Sequence, residues 1–151
     1  MLTETLKTLF NRDLNKLKKE IELYQNETML WHIEKSIANS AGNLCLHLVG
    51  NLNTYIGAEL GKTNYIRNRN LEFSQKDIPK AELLKKIEDT IVVVNLSLDK
   101  ITDEDLKNEY PLLVFENKTS TEFFMIHLAA HLSYHLGQIN YHRRLLDTDT
   151  I

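Results

Sequence analysis

Apolar residues in this sequence recur every three or four positions over four long stretches, and that period constrains the fold more than any other feature. Leu6, Leu9, Phe10, Leu14, Leu17, Ile21 and Tyr24 mark a first helix from about Thr3 to Tyr24, with lysines and glutamates on its other face. Ile33, Ile37, Leu44, Leu48, Leu52, Tyr55 and Ile56 mark a second, from about Trp31 to Leu60. Leu83, Leu84, Ile87, Ile91, Val94 and Leu98 mark a third, from Lys80 to Leu98, with Pro79 at its first turn. The fourth opens on the capping box Thr119-Ser120-Thr121-Glu122 and runs to about Leu146, with Phe123, Ile126, Ala130, Tyr134, Ile139 and Leu145 as its apolar contacts. Five glycines and two prolines in 151 residues leave few positions for tight turns, which argues against a many-stranded β fold. The reading is all-α, with residues 1–151 as a single domain of four long helices.

Two connections interrupt the period. Residues 61–79 carry none, and a stretch that long in a compact domain is either functional or a crossover. It is long enough to return along helix two, so helices two and three are expected to run parallel. Within it, Arg67 and Arg69 sit among aromatics; they either bind an anionic group or pair with Glu72 to pin the crossover. Residues 99–118 hold a capped turn at Thr102-Asp103-Glu104-Asp105 and an apolar extended run, Tyr110 to Phe115, expected across a bundle end. Gly42, Gly50 and Gly57 lie inside helix two, where each costs about 1 kcal/mol against alanine, so a close neighbour is expected at each. Gly61 is the expected C-terminal cap.

Several function classes are disfavoured. A net charge of −3 carries no basic patch for nucleic acid or a membrane surface. No apolar run approaches the roughly 18 residues of a spanning helix, and no signal-like apolar segment opens the sequence. Cys45 is the only cysteine, so no intrachain disulfide can form; a reducing, cytoplasmic setting is expected. Its default role is that of a buried structural thiol.

The chemistry lies in the histidines. His127, His131 and His135 recur every fourth residue on one face of helix four. His127 and His135 are about 12 Å apart along the axis, too far to share an ion that keeps an open face. A helix-four pair is therefore 127/131 or 131/135. The third ligand must come from another element, and His47, among Leu44, Leu46 and Leu48, is the best candidate. His32 is a poorer one. His142 and His127 are expected at a cavity mouth or in solvent. Asn51, one turn from His47, and Gln138, three residues from His135, are candidates to hydrogen-bond the ligand rings. Gly137 is expected to make room for a neighbour, and Tyr134 either orients substrate or joins the core.

The segment His131-Leu132-Ser133-Tyr134-His135-Leu136-Gly137-Gln138-Ile139 resembles the H-x-x-x-H-x-G-Q-I signature of DinB/YfiT-like proteins. Leu44 to Leu52, around His47, is similar to the helix-two histidine motif of the same superfamily. The resemblance implies a four-helix bundle in up-down-down-up order. It implies His47, His131 and His135 as ligands of one divalent ion, nickel or zinc foremost, iron or manganese in some members, which selects 131/135 over 127/131. It also implies a homodimer and, by likeness to characterised relatives, a metal-dependent enzyme such as a low-molecular-weight-thiol S-transferase acting on a small electrophile. The alternative is a non-catalytic, metal-binding, dimerising stress-response bundle. No glutamate lies between His131 and His135, so the base of an H-E-x-x-H protease is missing.

Overall fold

The structure is a computed structural model that describes residues 1–148. It is all-helical, and among the described residues no strand is present; the one isolated bridge joins Glu109 to Ser120. The long elements are α1 (Leu2–Leu23), α2 (Ala41–Leu52), α3 (Arg69–Ser74), α4 (Lys80–Leu98) and α5 (Thr121–Leu146). Among the described residues no helix is long and apolar enough to cross a membrane.

α1 follows its sequence period closely. Leu6, Phe10, Leu14, Leu17 and Ile21 are all buried, and Tyr24, the residue after the helix, is buried beyond them. This stripe packs α1 against α4 and α5, while α2 packs on α4, α5 and α3. A buried apolar cluster draws on α1, α2, α4 and α5, including Leu48 and Leu52 of α2, Leu83 and Ile87 of α4, and Phe124, Leu128 and Leu132 of α5.

α2 departs from the expectation. It begins at Ala41, ten residues later than the apolar spacing implies, because Ser40 caps it: the Ser40 hydroxyl accepts from the Asn43 amide at 3.2 Å. Trp31 instead ends a short 3-10 turn, Glu27–Trp31. Lys35 has φ 54°, a left-handed conformation that no helix continues through. Ile33 and Ile37 therefore lie partly in solvent. At its other end α2 widens into a π-helical segment, Asn53–Ala58. Gly61 is not a left-handed cap; that conformation falls on Lys62, and Gly61 is small because the Ser97 hydroxyl occupies the space of a side chain.

The connections are more structured than they read. Residues 61–79 contain α3, capped by the Asn68 side chain. Thr102 and Asp105 cap a 3-10 turn reciprocally, Asp105 N to Thr102 Oγ1 at 3.2 Å and Thr102 N to Asp105 Oδ2 at 2.8 Å. Of the Tyr110–Phe115 run only Tyr110 is buried, donating its hydroxyl to the Tyr55 carbonyl at 2.6 Å; Leu112 to Phe115 are partly exposed.

α5 has the expected length, but its cap is Ser120, one residue on, and its buried face is rotated. Phe124, Met125, Leu128, Leu132 and Ile139 turn inward. Of the six apolar contacts expected, only Ile139 is buried; Phe123, Ile126, Ala130, Tyr134 and Leu145 face outward. This helix carries apolar residues on both sides, so period alone does not select the face that meets α1 and α2.

Leu17 is fully buried in α1, well away from the histidines in sequence. Leu17→Ala is expected to lower stability by about 2–5 kcal/mol, read as a reduced urea midpoint at an unchanged slope.

Candidate metal centre

Every residue of α2 from Ala41 to Leu52 is buried, because α3, α4 and α5 all pack on it. His47 is therefore a buried imidazole with almost no access to water, and its ring nitrogens need partners inside the protein. His131 and His135 present themselves to it from successive turns of α5. The Nε2 atom of His131 lies 3.2 Å from Nε2 of His47 and 3.2 Å from Nε2 of His135. One nitrogen from each of the three rings falls within 4.8 Å of the others. A metal–nitrogen bond of about 2.1 Å sets ligand nitrogens about 3.4 Å apart in a tetrahedral site and about 3.0 Å apart at a right angle, and the observed spacing falls between.

The far side of two rings fixes which nitrogen carries the proton. His47 Nδ1–H donates to Glu72 Oε1 at 3.0 Å, and His135 Nδ1–H donates to Gln138 Oε1 at 2.7 Å. Both acceptors lack a proton to give, so both neutral rings turn an Nε2 lone pair toward His131. Three imidazole nitrogens facing one another are mutually satisfied by a cation, and the donor set and its outer hydrogen bonds fit one. His131 Nδ1, by contrast, is buried with no partner.

Glu72 organises this arrangement. Its carboxylate, 6% exposed, takes Arg67 Nε on Oε2 and Arg67 Nη2 on Oε1, both at 2.8 Å. Burial raises its pKa, but the hydrogen bonds from His47 and Arg67, with the Arg67 charge, outweigh that and hold it below the ordinary carboxylate value. The carboxylate sits directly over Gly50, where any Cβ would collide with it. Gly42 likewise yields its space to the Trp31 ring, 2.7 Å from where a Cβ would be, and Gly57 to Val93 at 2.8 Å.

The remaining sequence candidates distribute unevenly. Gln138 bonds the His135 ring at Nδ1. Asn51 does not bond His47; it is buried in the wall of a cavity with its Oδ1 unpartnered. Arg67 pins the crossover. Arg69 is exposed and lies over the Phe73 ring at 5.2 Å. Tyr134 is not core but 65% exposed, its ring 5.3 Å from that of His135. Gly137 accommodates no neighbour: nothing lies within 4 Å of its missing Cβ. His127 stays outside the trio, its ring against Phe115 at 4.7 Å. His142 lines a groove beside His135 and does not face solvent. It is buried between the Tyr24 hydroxyl at 2.7 Å and the His32 carbonyl at 2.9 Å. Cys45 is fully buried and its thiol is pushed up to about 12 by desolvation, which makes it inert. Sequence reasoning treated Glu72 as a partner for arginine and missed it as the partner of His47. It also missed Phe73, whose ring stacks 5.0 Å from His47.

Two openings adjoin the trio. A cavity of about 180 Å³ is walled by His47, His131, His127, Asn51 and Arg69 among others. A larger groove of about 520 Å³ runs along Tyr134, His135, Gln138 and Tyr141.

Burial, then the neighbouring His135, His47 and His127 rings and the Arg67 charge, press the His131 pKa down to about 4. An unfolded histidine titrates near 6.5, so between those values the unfolded chain binds more protons than the fold. His131 therefore favours the native state fully above about pH 6.5, and that contribution is lost as pH falls toward 4. In metal-free protein, an NMR titration should show its ring protonating near pH 4; a midpoint above 6 contradicts the burial described. Glycine exchange separates the two kinds of helical glycine. Gly137→Ala is expected to raise stability by about 0.5–1 kcal/mol, whereas Gly50→Ala lowers it, both read from denaturant midpoints.

A comparison with curated proteins finds no match. The family model described as "Protein of unknown function (DUF1572)" matches residues 2–151, and the chain belongs to that family.

Proposed function

We propose that this chain is a DinB-like metal-binding protein in which His47, His131 and His135 hold one divalent ion, zinc or nickel foremost, with iron and manganese as lesser options. The observation that supports this is the convergence of three Nε2 atoms whose tautomers are set by Glu72 and Gln138. An up-down-down-up four-helix arrangement is consistent with the packing, since α1 touches α4 and α5, α2 touches the same two, and residues 61–79 bridge α2 to α4. A homodimer in a reducing cytoplasm completes the reading.

The reaction we propose is transfer of a low-molecular-weight thiol to a small electrophile. When bound, the ion would supply a Lewis-acid centre that favours the deprotonated form of a thiol or of water. Three protein ligands suit a site with an open position better than a closed structural one. The chain's own contribution is positional. Glu72 keeps a proton on His47 Nδ1, Gln138 keeps one on His135 Nδ1, and burial disfavours protonation of His131, so the Nε2 atoms are the ones offered to an ion. Phe73 packs against the His47 ring and covers one outer face of the cluster.

Metal analysis of protein prepared without a histidine tag should give one ion per chain. His131→Ala should abolish it, and Glu72→Gln should weaken affinity about 10–100-fold. Full stoichiometry in His131→Ala would sink the site. Catalysis is read separately, as thiol-dependent consumption of an electrophile that stops on chelation and returns with added metal. Metal binding without any such turnover across a panel of thiols would favour the non-catalytic bundle.

A further inference from the structure

α5 carries a second apolar face that no other helix of the described residues covers. Phe123, Ile126, Tyr134, Tyr141 and Leu145 are each between 48% and 67% exposed. Together they open on the order of 500 Å² to solvent, near the top of the range for a patch on a monomer. Ala130, Ser133 and Gly137 are exposed among them, so the strip is continuous and lies opposite Phe124, Leu128, Leu132 and Ile139. Gly137 sits in its middle with nothing within 4 Å of where a Cβ would be. A helical glycine there gives up about 1 kcal/mol against alanine and gains no contact within the monomer. Ala130, seven residues earlier, keeps the same line of the helix low.

The charges at the two ends of the strip identify what covers it. Glu122 lies exposed in the first turn of α5, and Arg144 lies exposed in the last, held to this face by the Tyr141 ring at 5.6 Å. A second copy laid antiparallel on the strip sets Glu122 beside Arg144 of the partner subunit, and the positive end of each helix beside the negative end of the other. A parallel pair would set like charge against like at both ends. In the antiparallel register Ala130 meets Gly137 of the partner subunit, which lets the backbones approach closely, and Ile126 meets Tyr141 of the partner subunit. The face is thus complementary to itself, as a two-fold interface requires.

We infer that α5 is the interface of a two-fold dimer of this chain, paired antiparallel about Ser133 and Tyr134. The inference rests on the homodimer of the reading above and places its interface. Tyr134, whose ring is 5.3 Å from that of His135, falls beside the two-fold axis. The partner therefore forms the outer edge of the groove that runs along Tyr134, His135 and Tyr141.

Sedimentation of the whole chain should show a dimer. Gly137→Lys should weaken association about 100-fold or more, with helical circular dichroism and bound zinc unchanged, since lysine meets open space there and is the better helix former. A wild-type monomer overturns the inference together with the homodimer reading. A dimer that Gly137→Lys does not weaken overturns this interface alone. The charges read the register. Glu122→Lys and Arg144→Glu should each weaken the dimer about two- to tenfold, and the double exchange should restore it. Within one chain the two residues are about 33 Å apart along the helix, so restoration arises only between copies. No restoration overturns the antiparallel pairing. Cys45 is fully buried, so Ser133→Cys supplies the one accessible thiol. Mild oxidation should link Ser133→Cys into a covalent dimer and leave Phe123→Cys unlinked. The reverse pattern overturns the inference.

Discussion

The candidate centre depends on one carboxylate held away from water. Glu72 lies over Gly50, accepts the Nδ1 proton of His47 and receives both arms of the Arg67 fork. Removing any member leaves a buried group without its complement, which is the costly way to break such a network. The same carboxylate ties the crossover, through α3, onto the helix that carries His47. Loop order and ring orientation are thus set by a single group, and the glycine beneath it has a spatial reason that conformational freedom would not supply.

Three neutral imidazoles packed together are electrostatically awkward for a protein without a cation. Burial and mutual repulsion of the protonated forms keep His131 from taking up a proton, while the outer hydrogen bonds of His47 and His135 point their lone pairs at it. The fold therefore holds a concentrated set of electron-pair donors, one buried and two half-buried, beside two openings. Tolerating such a cluster makes sense where something positively charged completes it. Around it the wall is uneven: a small opening lined by Asn51, Arg67 and Arg69 on one side, and a longer groove flanked by Tyr134 and Tyr141 on the other.

Much of this was legible beforehand. α4 coincides with its expected limits because its stripe is one-sided and Pro79 marks its start. That His131 shares a face with His127 and His135 was legible because residues four apart on a helix are neighbours, but spacing left both pairs open and only the resemblance selected 131/135. α2 was misjudged at its start because Ile33 and Ile37 happen to continue the period through a segment that the Ser40 cap and Lys35 remove from the helix. α5 was assigned the wrong inner face because its apolar residues surround it, so only contact with its neighbours selects a side. His142 reads as one more member of a polar stripe, yet it is buried against Tyr24, a residue 118 positions away.

By itself, the amino-acid sequence determined an all-helical chain, the spacing of the α5 histidines and the presence of a third histidine within an apolar helix, since these follow from local period and residue type. Only the tertiary structure decided that His47 meets His131 across 84 positions and that Glu72 rather than Asn51 supports it. The reason is physical. Local period fixes which residues share a helix face, but partners for buried polar groups come from whichever distant segment packing brings within hydrogen-bond reach.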